Sequence, residues 1–155
     1  MQKVTLITVG TPRSSWVKDA VEEYVCRLLG GINLTIFPIK PSKSPDPDKQ
    51  REEESKRILE ALKKQSGQVW VLDENGIEFT SEKFSDLLQG LRDQGETATF
   101  ILGGAYGLND DVRSRADCII ALSKMTFPHE LCQLVFLEQM YRAVQIQKGT
   151  GYHHE

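Results

Sequence analysis

Short apolar runs alternate with helix-periodic segments along this chain, and each run stops at a glycine, a proline or a polar turn. The first run, Lys3 to Val9, is β-branched and ends at Gly10-Thr11-Pro12. Leu34 to Ile39, Gln68 to Leu72, Thr97 to Leu102 and Cys118 to Leu122 read as four further strands. The third closes on Asp73-Glu74-Asn75-Gly76, a turn signal. Between the runs, Trp16 to Leu29 places Trp16, Val17, Ala20, Val21, Tyr24, Val25 and Leu28 at spacings of three and four, which is one helix face. Ser14 or Ser15 caps that helix and Gly30-Gly31 ends it. Gln50 to Lys64 reads as an exposed helix whose glutamates and lysines form a solvated face. A third helix starts at Thr80 or Ser81 and carries Phe84, Leu87, Leu88 and Leu91. The last helix runs from Leu131 to Gln147.

Such alternation predicts an α/β fold, a mostly parallel sheet with helices on both faces. With no repeat, linker or low-complexity tract, residues 1–155 form a single domain. The last helix is apolar on two sides: Leu134, Leu137, Tyr141 and Val144 on one, Phe136, Met140 and Ala143 on the other. A helix apolar on two sides is buried on two sides, so one side is assigned to the core and the Phe136 stripe to a partner subunit.

Three cysteines, Cys26, Cys118 and Cys132, without metal-ligand spacing indicate neither disulfides nor a zinc site and suit a reducing compartment. The apolar start, Val4 to Val9, is too short for a signal sequence or a membrane span, so a soluble cytoplasmic protein is expected. A net charge of −3 argues against gripping nucleic acid through a large basic excess. It leaves room for a local basic surface, or for one assembled from two subunits.

In an open parallel sheet, ligands bind beyond the carboxyl ends of the strands. Gly103-Gly104-Ala105-Tyr106-Gly107 follows one such end, without the spacing of a dinucleotide or P-loop fingerprint. A tight turn explains its glycines as well as a binding site does. The Leu122 to His129 loop mixes Leu122, Met125 and Phe127 with Ser123 and Thr126, a slot suited to an adenine ring. Pro128 is equally a helix start, and His129 a cap neighbour or a catalyst. The loop from Pro41 to Asp48 is a solvated connection, unless Lys40 and Lys43 meet phosphate. Glu138 and Arg142 form an i,i+4 pair, either structural or an arginine steered towards a phosphate. The end, Gly149 to Glu155, has the composition of a frayed tail, yet carries an aromatic, two histidines and a carboxylate. Two adjacent histidines alone make a poor metal site.

Taken in order, Val9-Gly10, Ile101-Leu102-Gly103-Gly104 with Gly107-Leu108, Leu122-Ser123 with Thr126-Phe127-Pro128-His129, Glu138-Gln139 with Tyr141-Arg142-Ala143, and Tyr152-His153 resemble one family. It is the small SPOUT-class methyltransferases that methylate N3 of a pseudouridine in bacterial large-subunit (23S) ribosomal RNA. The resemblance spans essentially the whole chain. It implies a C-terminal trefoil knot, an exception to unthreaded connections, in a donor-binding region of about 100–150, and a homodimer. It implies S-adenosylmethionine as methyl donor, no metal, and donor contacts at Leu72, Gly103, Leu122, Ser123, Lys124, Met125, Thr126 and Phe127. In that family the tail helps to position or activate the target base, which points to Tyr152 and His153. His153 is expected as base or proton relay, with Tyr152 and Arg142 positioning the target. His154 stands where relatives commonly carry Arg or Lys, so it holds a phosphate less readily at neutral pH. Two rivals remain at this point: a non-catalytic RNA- or ribosome-binding module of the same fold, and a flavodoxin-like nucleotide binder.

Overall fold

The computed structural model of the chain describes residues 1–154; Glu155, the carboxylate of the tail, lies outside them. The elements run β1 (Gln2–Val9), α1 (Ser15–Leu28), β2 (Ile32–Ile39), α2 (Pro47–Leu62), β3 (Gln68–Glu78), α3 (Ser81–Asp93), β4 (Ala98–Leu102), α4 (Asp110–Arg115), β5 (Cys118–Ala121) and α5 (His129–Lys148). One five-stranded sheet forms in the order β2-β1-β4-β3-β5, and every pairing is parallel. All strands therefore finish at the same edge, where the loops after them collect.

Side chains alternate across each strand, and the two faces build two cores. Val4, Leu6, Trp70, Leu72, Phe100 and Ile120 meet α1, α3 and α5 through Val17, Leu28, Phe84, Leu88, Phe136 and Met140. Ile7, Ile39, Val69, Val71 and Ile101 meet α2 and α4 through Ile58, Leu62 and Val112. Helices thus cover both faces, as the alternation of the sequence requires. Phe100 and Phe136 are fully buried with ring centroids 4.8 Å apart, at the centre of the first core. Each such ring contributes about 1.5–3 kcal/mol by leaving water.

Four local expectations are corrected. Helix α2 begins inside the stretch read as loop, because the Asp46 carboxylate accepts from Lys49 N–H (3.0 Å) and Pro47 is tolerated in a first turn. Strand β3 does not stop at Asp73: residues 73–76 bulge out, and Ile77 returns to pair with Ile120, the residue already paired with Leu72. Gly76 is what permits this, since a Cβ there would lie 2.7 Å from the carbonyl oxygen of Ile119. Helix α4 was not anticipated; its six residues form no amphipathic period long enough to see.

The fourth correction concerns α5. Phe136, Met140 and Ala143 are fully buried within the single chain, together with Leu137 and Val144, so they form the core and not a partner face. Helix α5 lies between α1 and α3 on the sheet, which buries a wide arc of it. Leu131, Leu134 and Tyr141 are left half-buried on its outer side.

Candidate functional site

A cavity of about 810 Å³ opens at the carboxyl edge of the sheet. Leu72 lines it just before the bulge of β3, and Leu102 and Leu122 at or just beyond the ends of β4 and β5. The Gly103–Gly107 loop forms one wall and the Met125–His129 segment another. Gly104 and Gly107 make a tight turn, with Gly107 N–H donating to the Gly104 carbonyl (3.1 Å) and Gly107 at φ 74°. A Cβ at Gly103 would press on Leu108 Cγ at 3.0 Å and stand beside Gly107. The glycines thus serve both readings left open by the sequence, a tight turn and a wall of bare backbone.

The bulge of β3 closes the opposite side. Thr126 Oγ1 donates to Glu74 Oε2 (2.5 Å), which ties the Leu122–His129 loop to that bulge. Asp73 is held by Arg113, whose Nη2 lies 2.6 Å from Asp73 Oδ2 and whose Nη1 donates to the Leu108 carbonyl (2.7 Å). Burial disfavours the Asp73 carboxylate, but the Asn75 N–H and the Arg113 guanidinium outweigh it, and its pKa lies below the ordinary value. The pair fixes β3 against the α4 end of the glycine loop.

Of the residues expected to hold the donor, Leu72, Gly103, Leu122, Ser123, Met125, Thr126 and Phe127 all line this cavity. Lys124 does not: its side chain is 88% exposed and reaches out to Glu78 (3.7 Å). His129 stands at the cavity mouth on the first residue of α5, and Cys132 lines it one turn further. Burial pushes the Cys132 thiol up to about 11, so it packs as an apolar group. Sequence reasoning missed Asp73, Arg113 and Tyr106. Arg113 belongs to the unanticipated α4, and Asp73 was read only as a turn residue.

The tail does not fray. Gly149 (φ 64°) and Gly151 (φ 75°) adopt left-handed backbone and turn the chain back along α5. The Tyr152 ring packs edge-on against Tyr141 with centroids 4.9 Å apart, and its hydroxyl donates to Glu138 Oε1 (3.0 Å). Arg142 pairs with the same oxygen (2.8 Å) and lies over the Tyr152 ring. Burial and the bond to Glu138 both raise the Tyr152 phenol, which is therefore a donor at neutral pH. His153 is clamped from two sides, Nδ1 at 3.2 Å from Arg142 Nη1 and Nε2 at 2.7 Å from Glu82 Oε1. An arginine can only donate, so the geometry puts the lone pair on Nδ1 and the proton on Nε2. That hydrogen bond is the main cause holding the Glu82 carboxyl below its usual range.

Tyr152, His153 and Arg142 are thus brought together, but not with the cavity of their own chain. Arg142 stands ten residues beyond Cys132 on the same helix, about 15 Å along its axis.

A family model described as predicted SPOUT methyltransferase matches residues 2–153. The ribosomal RNA large subunit methyltransferase H of Clostridium acetobutylicum is 40% identical, over 97% of this chain and 98% of its own. The protein of the same name from Oleidesulfovibrio alaskensis is 40% identical, over 99% and 100%. Among solved structures, a probable methylase family protein from Haemophilus influenzae superposes with a TM-score of 0.59 at 11% identity, over 98% of this chain and 70% of its own, a likeness of fold.

Proposed function

Because the chain belongs to the SPOUT methyltransferase family, we propose that it transfers a methyl group from S-adenosylmethionine to N3 of a pseudouridine in large-subunit (23S) ribosomal RNA, and does so as a homodimer. The observation that carries the reading is the strand-end cavity, whose volume and mixture of apolar side chains with bare glycine backbone suit a nucleoside-sized ligand. A ribosomal substrate makes the cytoplasm its place of action, and no helix among the described residues is long and apolar enough to cross a membrane.

Leu72, Leu122, Met125 and Phe127 provide apolar surface for an adenine ring, while Gly103 and the Ser123–Thr126 backbone provide hydrogen-bonding groups. Lys124 takes part through its main chain, given where its side chain points. The donor supplies, when bound, a sulfonium whose methyl carbon is electrophilic. What remains for the protein is to place an imide nitrogen in line and to take its proton.

His153 is the group for that proton. Nδ1 accepts it when Arg142 turns from the ring to the RNA backbone, and the Glu82 carboxylate on Nε2 stabilises the imidazolium that forms. Tyr152 and Arg142, braced by Glu138, position the target. Since these groups lie at the far end of α5 from the cavity, they serve the cavity of the second copy. A twofold dimer that sets α5 against its own copy in the opposite direction brings the tail of one chain to the cavity of the other. The outer side of α1 and α5 offers the surface for it, with Trp16 61% exposed and Leu134 and Tyr141 half-buried. The C-terminal region is proposed to be knotted; the close crossing of the Gly76 backbone over Ile119 and Ile120 supports this reading.

The test is transfer of labelled methyl to intact ribosomes, isolated subunits and stripped RNA, with the modified nucleotide mapped. One pseudouridine of the large-subunit RNA should take the label at N3. Donor binding without transfer to any of the three would favour the non-catalytic reading.

A further inference from the structure

Helix α2, read from sequence as solvated on its charged side, turns one row of side chains onto the glycine loop. Arg51 Nε donates to the Tyr106 carbonyl (3.0 Å), Asn109 Nδ2 donates to Glu52 Oε2 (3.2 Å), and Asn109 N–H donates to Ser55 Oγ (3.0 Å). The loop after β4 is thus held from behind by three residues of one helix. Glu54 points the same way but is incompletely used. It is 1% exposed, its Oε2 accepts from Ser42 N–H (3.0 Å), and its Oε1 is buried with no hydrogen-bond partner among the described residues. That oxygen lies against Gly104, where a Cβ would come within 2.7 Å of it.

A buried acceptor without a donor is costly and is seldom left so. The groups best placed to meet it belong to the loop that walls the cavity, and at Gly104 no side chain intervenes. We propose that Glu54 is a positioning residue of this cavity: when donor binds, its Oε1 accepts a backbone N–H from the Gly103–Ala105 segment and holds that segment against the ligand. The inference rests on reading the cavity as the donor site. It assigns the absence of a side chain at Gly104 to the approach of a carboxyl group from behind, as well as to the ligand in front.

Glu54→Gln discriminates. The Ser42 N–H still requires an oxygen, so the amide must turn its NH2 towards Gly104, where it cannot accept a hydrogen bond. Shape and anchor are kept while the acceptor is lost. Calorimetry with S-adenosylmethionine should show affinity lowered by about tenfold, the scale of one buried hydrogen bond. The melting temperature of the free protein should not fall, because that oxygen has no partner there to lose. Amide exchange at residues 103–105 should slow on donor addition in the unaltered protein and slow less in the variant. Affinity within twofold of the unaltered protein would overturn the proposal. So would lowered affinity that tracks a lowered melting temperature with loop protection unchanged, which is what a merely structural residue would give. Failure of the unaltered protein to bind donor at all would instead overturn the donor reading, and this inference with it.

Discussion

In the proposed reaction Gly103 makes room for the donor and His153 handles a proton, so their variants should fail in different ways. In Gly103→Val the new side chain meets Leu108 and the Gly107 backbone and intrudes on the cavity, so donor affinity measured by calorimetry should fall. His153→Ala should leave that affinity nearly intact and slow single-turnover transfer, by about 100- to 10,000-fold if proton removal is its task. Asp73 gives a pH signature. Its pKa is depressed in the folded chain, so the stabilisation is present above the ordinary carboxylate value of about 4 and is lost as pH falls through the lower folded value. Thermal melts should show Asp73→Asn less stable than the unaltered protein at pH 7, and the gap should close in acid. A gap that persists unchanged in acid would assign the loss to packing.

Among the elements, α5 carries the clearest test of where the core ends. Met140 is fully buried in the single chain, so Met140→Glu places a carboxylate in an apolar core and should abolish cooperative folding. Leu134→Glu, on the half-buried outer side, should leave the circular dichroism spectrum intact and shift light-scattering mass towards the monomer. The parallel sheet was legible in the sequence because each strand carries its own β-branched run and each long helix its own period. Periodicity could not divide the apolar arc of α5, because a helix wedged between α1 and α3 is buried over more than one stripe. Helix α2 misled for the opposite reason. Glu54 and Ser55 look solvated by residue type, and only the glycine loop packed above them makes them interior. The bulge at residues 73–76 was recognised as a turn, but the return of β3 to the same neighbour depends on the fold as a whole. The residues lining the strand-end cavity were legible as strand-end loops and by family resemblance. Asp73, Arg113 and Glu82 were not, since each matters through a partner 40 or more residues away in sequence.

For the whole molecule, the distance between cavity and tail is why the proposed reaction centre calls for a second chain. A cavity at the N-terminal end of α5 and a histidine clamp at its C-terminal end form one reaction centre only when two helices run in opposite directions. Coexpression of Gly103→Val on one tagged chain and His153→Ala on the other tests this directly. Each variant alone should be nearly inactive on ribosomes. The purified mixed dimer pairs the intact cavity of the His153→Ala chain with the intact tail of the Gly103→Val chain, and should recover about half the unaltered transfer rate per dimer, one site of two. A mixed dimer as inactive as its parents would contradict the account, because it would mean that cavity and tail act within one chain.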